Sequence, residues 1–140
     1  KKDKPGACVV GADTIVWLDG EIIGKPRDPE DAVNILKKLS GKTHTVYTGV
    51  AGLTDQGCDV CHDTTEVTME AIPEADIRAY VASGEPLDKA GAYGIQGPAA
   101  VFVKRVEGCY FTIIGMPMHK LYHMLAKVGI YPDWQRAART

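Results

Sequence analysis

One carboxylate, Asp13, is embedded in the β-branched run "VVGADTIV", among Val9, Val10, Ile15 and Val16. An ionised carboxylate in such company is costly unless it is paired or opens onto a cleft. It reads either as a functional carboxylate at a cleft, or as a solvated group on the outer face of an edge strand. Two lysines, Lys25 in "GKPR" and Lys89 in "LDKAG", stand in loops between elements. They are either solvated charges or a pair of ammonium groups that neutralise a polyphosphate. Gln96 is a lone amide in "DKAGAYGIQG", where Gly91, Gly94 and Gly97 would let backbone N–H groups approach an anion or a planar base. The block matches neither nucleotide-binding glycine fingerprint, so by itself it is equally a flexible loop.

Two further groups have ligand chemistry without the context it needs. "CDVCH", Cys58 to His62, has the spacing of a haem attachment motif. The segment reads as a strand, however, where residues three apart point to opposite faces and cannot grip one ligand. His119 and His123 are four apart on a helix, but no glutamate follows His119, so the metalloprotease pattern fails and a solvated helix face is expected.

The elements that must position these residues follow from punctuation and periodicity. "ACVVGADTIVWLDGEIIG" is a hairpin turning at Asp19-Gly20 and carrying Asp13 in its first strand. In "KPRDPEDAVNILKKLSG" Asp28 caps a helix, Pro29 fits its first position, Val33, Ile35, Leu36 and Leu39 form its apolar face, and Gly41 stops it. "THTVYTGVAGLT" and "VCHDTTEVTMEA" form a second hairpin around Asp55, Gln56 and Gly57. "PEADIRAYVASGEP" is a helix between Pro73 and Gly84 with Ile77, Tyr80 and Val81 inward. "AAVFVKRVEG" and "CYFTIIG" read as a strand pair turning near Glu107-Gly108. "MPMHKLYHMLAKVG" reads as a last helix with Leu121, Met124, Leu125 and Val128 inward and Gly129 at its end. In the tail "YPDWQRAART" only Trp134 has reason to dock on the body. Hairpins separated by helices predict an α/β domain, a mixed sheet with flanking helices, over residues 1–129, with a tail at 130–140.

Composition narrows the class. A chain of 140 residues with 45% apolar and 24% charged side chains can build one core, and a formal net charge of -2 advertises neither a nucleic-acid nor a membrane partner. No apolar run approaches the ~18 residues of a spanning helix, and "KKDKPGA" has no signal-peptide core, so a cytoplasmic protein is expected. Cys8, Cys58, Cys61 and Cys109 are expected to be reduced thiols.

Taken together, "VVGADTIVWLDGEIIGKPRDPEDAVNILKKLSGKTHTVYTGVA", "YVASGEPLDKAGAYGIQG" and "GMPMHKLY" closely resemble the Maf family of nucleoside triphosphate pyrophosphatases, from about Val9 to Leu125. The resemblance implies a fold similar to the inosine triphosphate pyrophosphatases, with a deep cleft. It also implies hydrolysis of nucleoside triphosphates to monophosphate and pyrophosphate with a divalent cation, magnesium or manganese, a link to septum formation, and a homodimer. By position it makes Asp13 the proton acceptor, assigns Lys25 to the phosphates, with Lys89 as a further phosphate contact, and associates Thr14 and Gln96 with substrate choice. "GADT" with "DKAGAYGIQG" looks like the branch acting on dTTP and UTP. Family members normally begin with a "SPRR"-like phosphate loop and a further acidic residue, and these residues contain neither, so an N-terminally truncated domain is expected. A catalytically impaired nucleotide-binding or cell-division regulatory fragment is the alternative reading.

Overall fold

The structure is a computed structural model that describes residues 8–55 and 57–134. Strand β1 (Val9–Leu18) turns into β2 (Glu21–Ile23) through Asp19 and Gly20, whose φ angles are 51° and 82°. Positive φ at both central residues is what a two-residue hairpin needs for its turn to match the twist of the strands. Helix α1 (Pro29–Leu39) starts as its sequence demands. The Asp28 carboxylate accepts from the Asp31 N–H at 2.7 Å, and the Asp31 carboxylate in turn accepts from the Arg27 N–H at 2.9 Å. Its buried stripe of Ala32, Val33, Ile35, Leu36 and Leu39 faces the sheet and helix α2 (Glu74–Ala82), which contributes Ile77, Tyr80 and Val81. Burying a leucine as fully as Leu36 stabilises the fold by roughly 1.5–3 kcal/mol.

The long hairpin of β3 (Thr43–Thr54) and β4 (Gly57–Met69) forms the middle of the sheet, paired from Thr43↔Thr68 to Thr54↔Gly57; Gln56 of its expected turn lies outside the described residues. With β5 (Val103–Gly108) the order is β2-β1-β3-β4-β5, every neighbour antiparallel. Alternation then divides the sheet into two unlike faces. Along β3, His44, Val46, Thr48 and Val50 are buried, whereas Tyr47, Gly49, Ala51 and Leu53 are exposed. The helices cover the first face. The second is open and presents Val9, Trp17, Ile22, Tyr47, Leu53 and Val60.

Several expectations are corrected. "CYFTIIG" is not a strand: residues Tyr110–Ile113 form a one-turn helix, α3, and β5 pairs with β4 instead. A short apolar run does not reveal by its periodicity whether it is strand or helix. Tertiary contacts decide here, because the Thr48 hydroxyl donates to the Thr112 carbonyl at 2.8 Å and the Thr112 hydroxyl donates to Asp63 at 2.6 Å. The strand also begins later than "AAVFVKRVEG" implies, since Pro98–Phe102 is a 3₁₀ turn. Helix α4 (Met118–Ala126) buries Met124, but Val128 lies beyond its end and is 39% exposed. Trp134 is 76% exposed rather than docked, and residues 135–140 of the tail lie outside the described residues. Within the glycine-rich block Ala90–Ala92 forms a 3₁₀ turn, another at Glu85–Asp88 leads into it, and Tyr93–Gly97 is an irregular segment.

Candidate active site

Between the covered face of the sheet and the segment Glu85 to Gly97 lies a cavity of about 540 Å³, the size of a small-molecule site. Thr14 on β1, Lys25 in the β2–α1 connection, and Lys89 and Gln96 in the glycine-rich segment all line it, although 82 positions separate the first from the last. Asp13 does not. Consecutive strand residues point to opposite faces, so while Thr14 faces the cavity, Asp13 is exposed on the open face, beside Gly49 and Val60. Its carboxylate accepts from the Thr14 N–H at 3.1 Å.

The direction of one hydrogen-bond chain can be derived. Thr48 has one hydroxyl proton and gives it to the Thr112 carbonyl, which can only accept. The Thr14 hydroxyl, 2.9 Å from that of Thr48, must therefore donate to it. Thr14 consequently presents acceptor lone pairs to the cavity.

On the opposite wall the Tyr80 hydroxyl donates to the Glu85 carboxylate and accepts from the Gly94 N–H at 3.2 Å. Burial raises the Tyr80 pKa, and the Glu85 hydrogen bond raises it further, so the tyrosine remains a donor. The carboxylate lies so close to Gly97 that a side chain there would overlap it. The Lys89 stem likewise occupies the space of a side chain at Gly94, with its Cε 2.7 Å from where a Cβ would sit. A side chain at either glycine would thus have to displace Glu85 or Lys89 from its present place. Lys89 Nζ bonds Asp88 at 3.1 Å and the Glu85 carbonyl at 3.3 Å, and this ammonium holds the Asp88 carboxyl below its usual range. Behind them Tyr93 is buried, with its hydroxyl 2.7 Å from His44 Nε2. Burial pushes the Tyr93 pKa up and the His44 pKa down to about 4.

Sequence reasoning missed Glu85 and Tyr93. The signal for Glu85 was a carboxylate four residues before Lys89; Tyr93 carried none, because its role depends on His44. Ligand chemistry also falls elsewhere than expected. Cys58 and Cys61 are free thiols on β4, and His119 is brought together not with His123 but with Asp63 and Cys109, their ligand atoms all within 4.8 Å of one another. Among the described residues no helix is long and apolar enough to cross a membrane.

The cavity therefore joins two ammonium groups, one carboxylate, one amide and one acceptor hydroxyl over an apolar floor that includes Val16 and Ile113. Such a lining can neutralise a polyanion and hydrogen-bond a planar polar group.

Comparison with known proteins adds an independent observation. The model of a family described as "Maf-like protein" matches residues 1–128. A dTTP/UTP pyrophosphatase of Pelotomaculum thermopropionicum is 49% identical over 125 residues, which are 88% of this chain and 65% of that protein. One from Aquifex aeolicus is 46% identical over 129 residues, 92% of this chain and 68% of the relative. One from Thermotoga maritima is 48% identical over 129 residues, 92% of this chain and 63% of the relative. The chain thus spans about two thirds of the length of the curated relatives it matches.

Proposed function

Because the chain belongs to the Maf family, we propose that it hydrolyses nucleoside triphosphates, dTTP and UTP first among them, to the monophosphate and pyrophosphate at this cavity. The observation that carries the reading is the convergence of Thr14, Lys25, Lys89 and Gln96 on one wall system. Water attacking the α-phosphorus faces three charged phosphates, so charge neutralisation and positioning dominate the barrier. Lys25 and Lys89 meet the phosphates. A magnesium or manganese ion fits the same wall, because such ions take one or two carboxylates plus substrate phosphates, and Glu85 is the carboxylate the cavity offers. When bound, the ion supplies further neutralisation of the phosphate charge.

For the base, uracil and thymine present an N–H donor beside a carbonyl acceptor, and cytosine reverses part of that pattern. Thr14 offers an acceptor and Gln96 an amide with both functions, which suits the first pair. A wrong base leaves Thr14 or Gln96 unpaired, at about 1–3 kcal/mol for each group that the bound base shields from water.

The geometry supports the binding half of the assignment more directly than the chemical half. Asp13, the proton acceptor that the resemblance implies, stands on the other face of the sheet. Glu85 is the second reading for the essential carboxylate, favoured by its place in the cavity. The test is to incubate the chain with dTTP and manganese and measure pyrophosphate, with Asp13→Asn and Glu85→Gln beside it. Release of orthophosphate in place of pyrophosphate, or saturable binding with no turnover, overturns the hydrolysis. A loss of roughly 10²–10⁴-fold in one variant alone identifies the essential carboxylate.

A further inference from the structure

Asp63, Cys109 and His119 come from three separate elements and bring an oxygen, a sulfur and a nitrogen within 4.8 Å of one another. Asp63 lies on the covered face of β4, directly across from Thr48. Cys109 sits at the corner where the chain leaves β5. That corner depends on Gly108, whose φ is 125° and whose Cβ would lie 2.8 Å from the Thr65 hydroxyl and 3.1 Å from the Thr65 Cα. The same Thr65 hydroxyl donates to the Cys109 carbonyl at 2.7 Å and so fixes the corner against β4. His119 belongs to the first turn of α4 and is exposed, so its ring can rotate.

We propose that Asp63, Cys109 and His119 form a site for a divalent ion of the zinc class, separate from the nucleotide cavity. Zinc takes thiolate, imidazole and carboxylate ligands at about 2.0–2.3 Å, so tetrahedral donors stand roughly 3.3–3.8 Å apart. Closing the trio to that spacing needs adjustments on the order of 1 Å, within reach of one rotating imidazole. The donor set excludes magnesium and calcium, which are held by oxygen, and suits zinc or cobalt. The second shell is already in place: the Thr112 hydroxyl donates to one oxygen of Asp63 at 2.6 Å and orients the carboxylate. Lys120 Nζ lies 3.1 Å from the other oxygen and 2.7 Å from the His62 carbonyl. Its half-exposed stem lets it withdraw to that carbonyl when an ion takes its place. Three protein ligands leave a fourth position for water. Bound there, the ion would tie α4 to β4 and to the β5 corner. The competing reading is a self-sufficient Asp63–Lys120 ion pair with a cysteine and a histidine as bystanders.

Cobalt separates the two, because a thiolate bound to it gives a charge-transfer absorption and a tetrahedral site gives intense visible bands. The metal-free full chain is titrated with cobalt chloride. The expected result is saturation of both signals at a single equivalent, displacement by zinc, and no displacement by excess magnesium. Cys109→Ser should abolish the thiolate band, and His119→Ala should weaken cobalt binding about tenfold or more. Replacing Cys8, Cys58 and Cys61 together with serine should leave the band unchanged. Circular dichroism of the Cys109→Ser protein confirms its fold. Absence of the band from the parent chain, or its survival in folded Cys109→Ser protein, overturns the site.

Discussion

His44 should make this protein lose stability on acidification. The ring is 1% exposed, its Nε2 is bonded to the Tyr93 hydroxyl, and its Nδ1 is the buried side-chain atom without a partner among the described residues. The Nε2–H tautomer tolerates that arrangement, but the imidazolium would bury an unanswered Nδ1–H together with a charge. Its pKa therefore falls from the ordinary 6.5 to about 4. The folded chain then binds fewer protons than the unfolded chain between those values, so stability rises with pH across the window and is lost as pH falls through it. At 1.36 kcal/mol per pH unit, the cost reaches about 2 kcal/mol by pH 5 and about 3 kcal/mol by pH 4. Against a typical total of roughly 5–15 kcal/mol, this is a measurable share. Urea unfolding at pH 7, 6, 5 and 4 measures it, with the same series on His44→Gln, which keeps a polar group for Tyr93 but cannot titrate. The parent chain should lose about 3 kcal/mol more than the variant between pH 7 and pH 4. Parallel curves would refute the reasoning, whatever the variant's stability at pH 7.

Three further outcomes follow from the same geometry. Thr14→Val removes the acceptor that Thr48 directs toward the cavity, and Gln96→Ala removes the amide; each should lower the preference for dTTP over CTP by about 5–150-fold in kcat/KM, corresponding to 1–3 kcal/mol. Equal ratios before and after would reject the base-reading role. Gly97→Ala should displace the Glu85 carboxylate, raising KM for the nucleotide while thermal unfolding changes little, and an unchanged KM counts against a defined place for Glu85. Leu36→Ala, at a fully buried position between α1 and the sheet, should cost about 2–5 kcal/mol in urea unfolding, and a loss below about 1 kcal/mol would show that the core closes around the gap.

Local chemistry determined a good part of this protein. Asp19-Gly20 needs no partner to turn, Asp28 and Pro29 start a helix through backbone groups a few residues away, and the threonine- and valine-rich runs pair with each other across a short turn. Ordered blocks such as "GADT", "GKP" and "DKAGAYGIQG" carried the family and the expectation that Asp13, Thr14, Lys25, Lys89 and Gln96 share one site. What those residues could not express is anything that depends on which face of the sheet is covered. Strand alternation separates Asp13 from Thr14, but only the packing of α1, α2 and the Glu85–Gly97 segment decides that Thr14 faces the cavity and Asp13 the open side. The apolar "CYFTIIG" became a helical turn because Asp63 and Thr48, some fifty to sixty residues away in the chain, supply its hydrogen bonds. Cys109 and His119, unremarkable by spacing, meet Asp63 for the same reason. Tight turns and helix caps are set by neighbours in sequence, whereas a site, like the helical turn at Tyr110, is set by neighbours in space, and those exist only once the sheet has chosen its covered face.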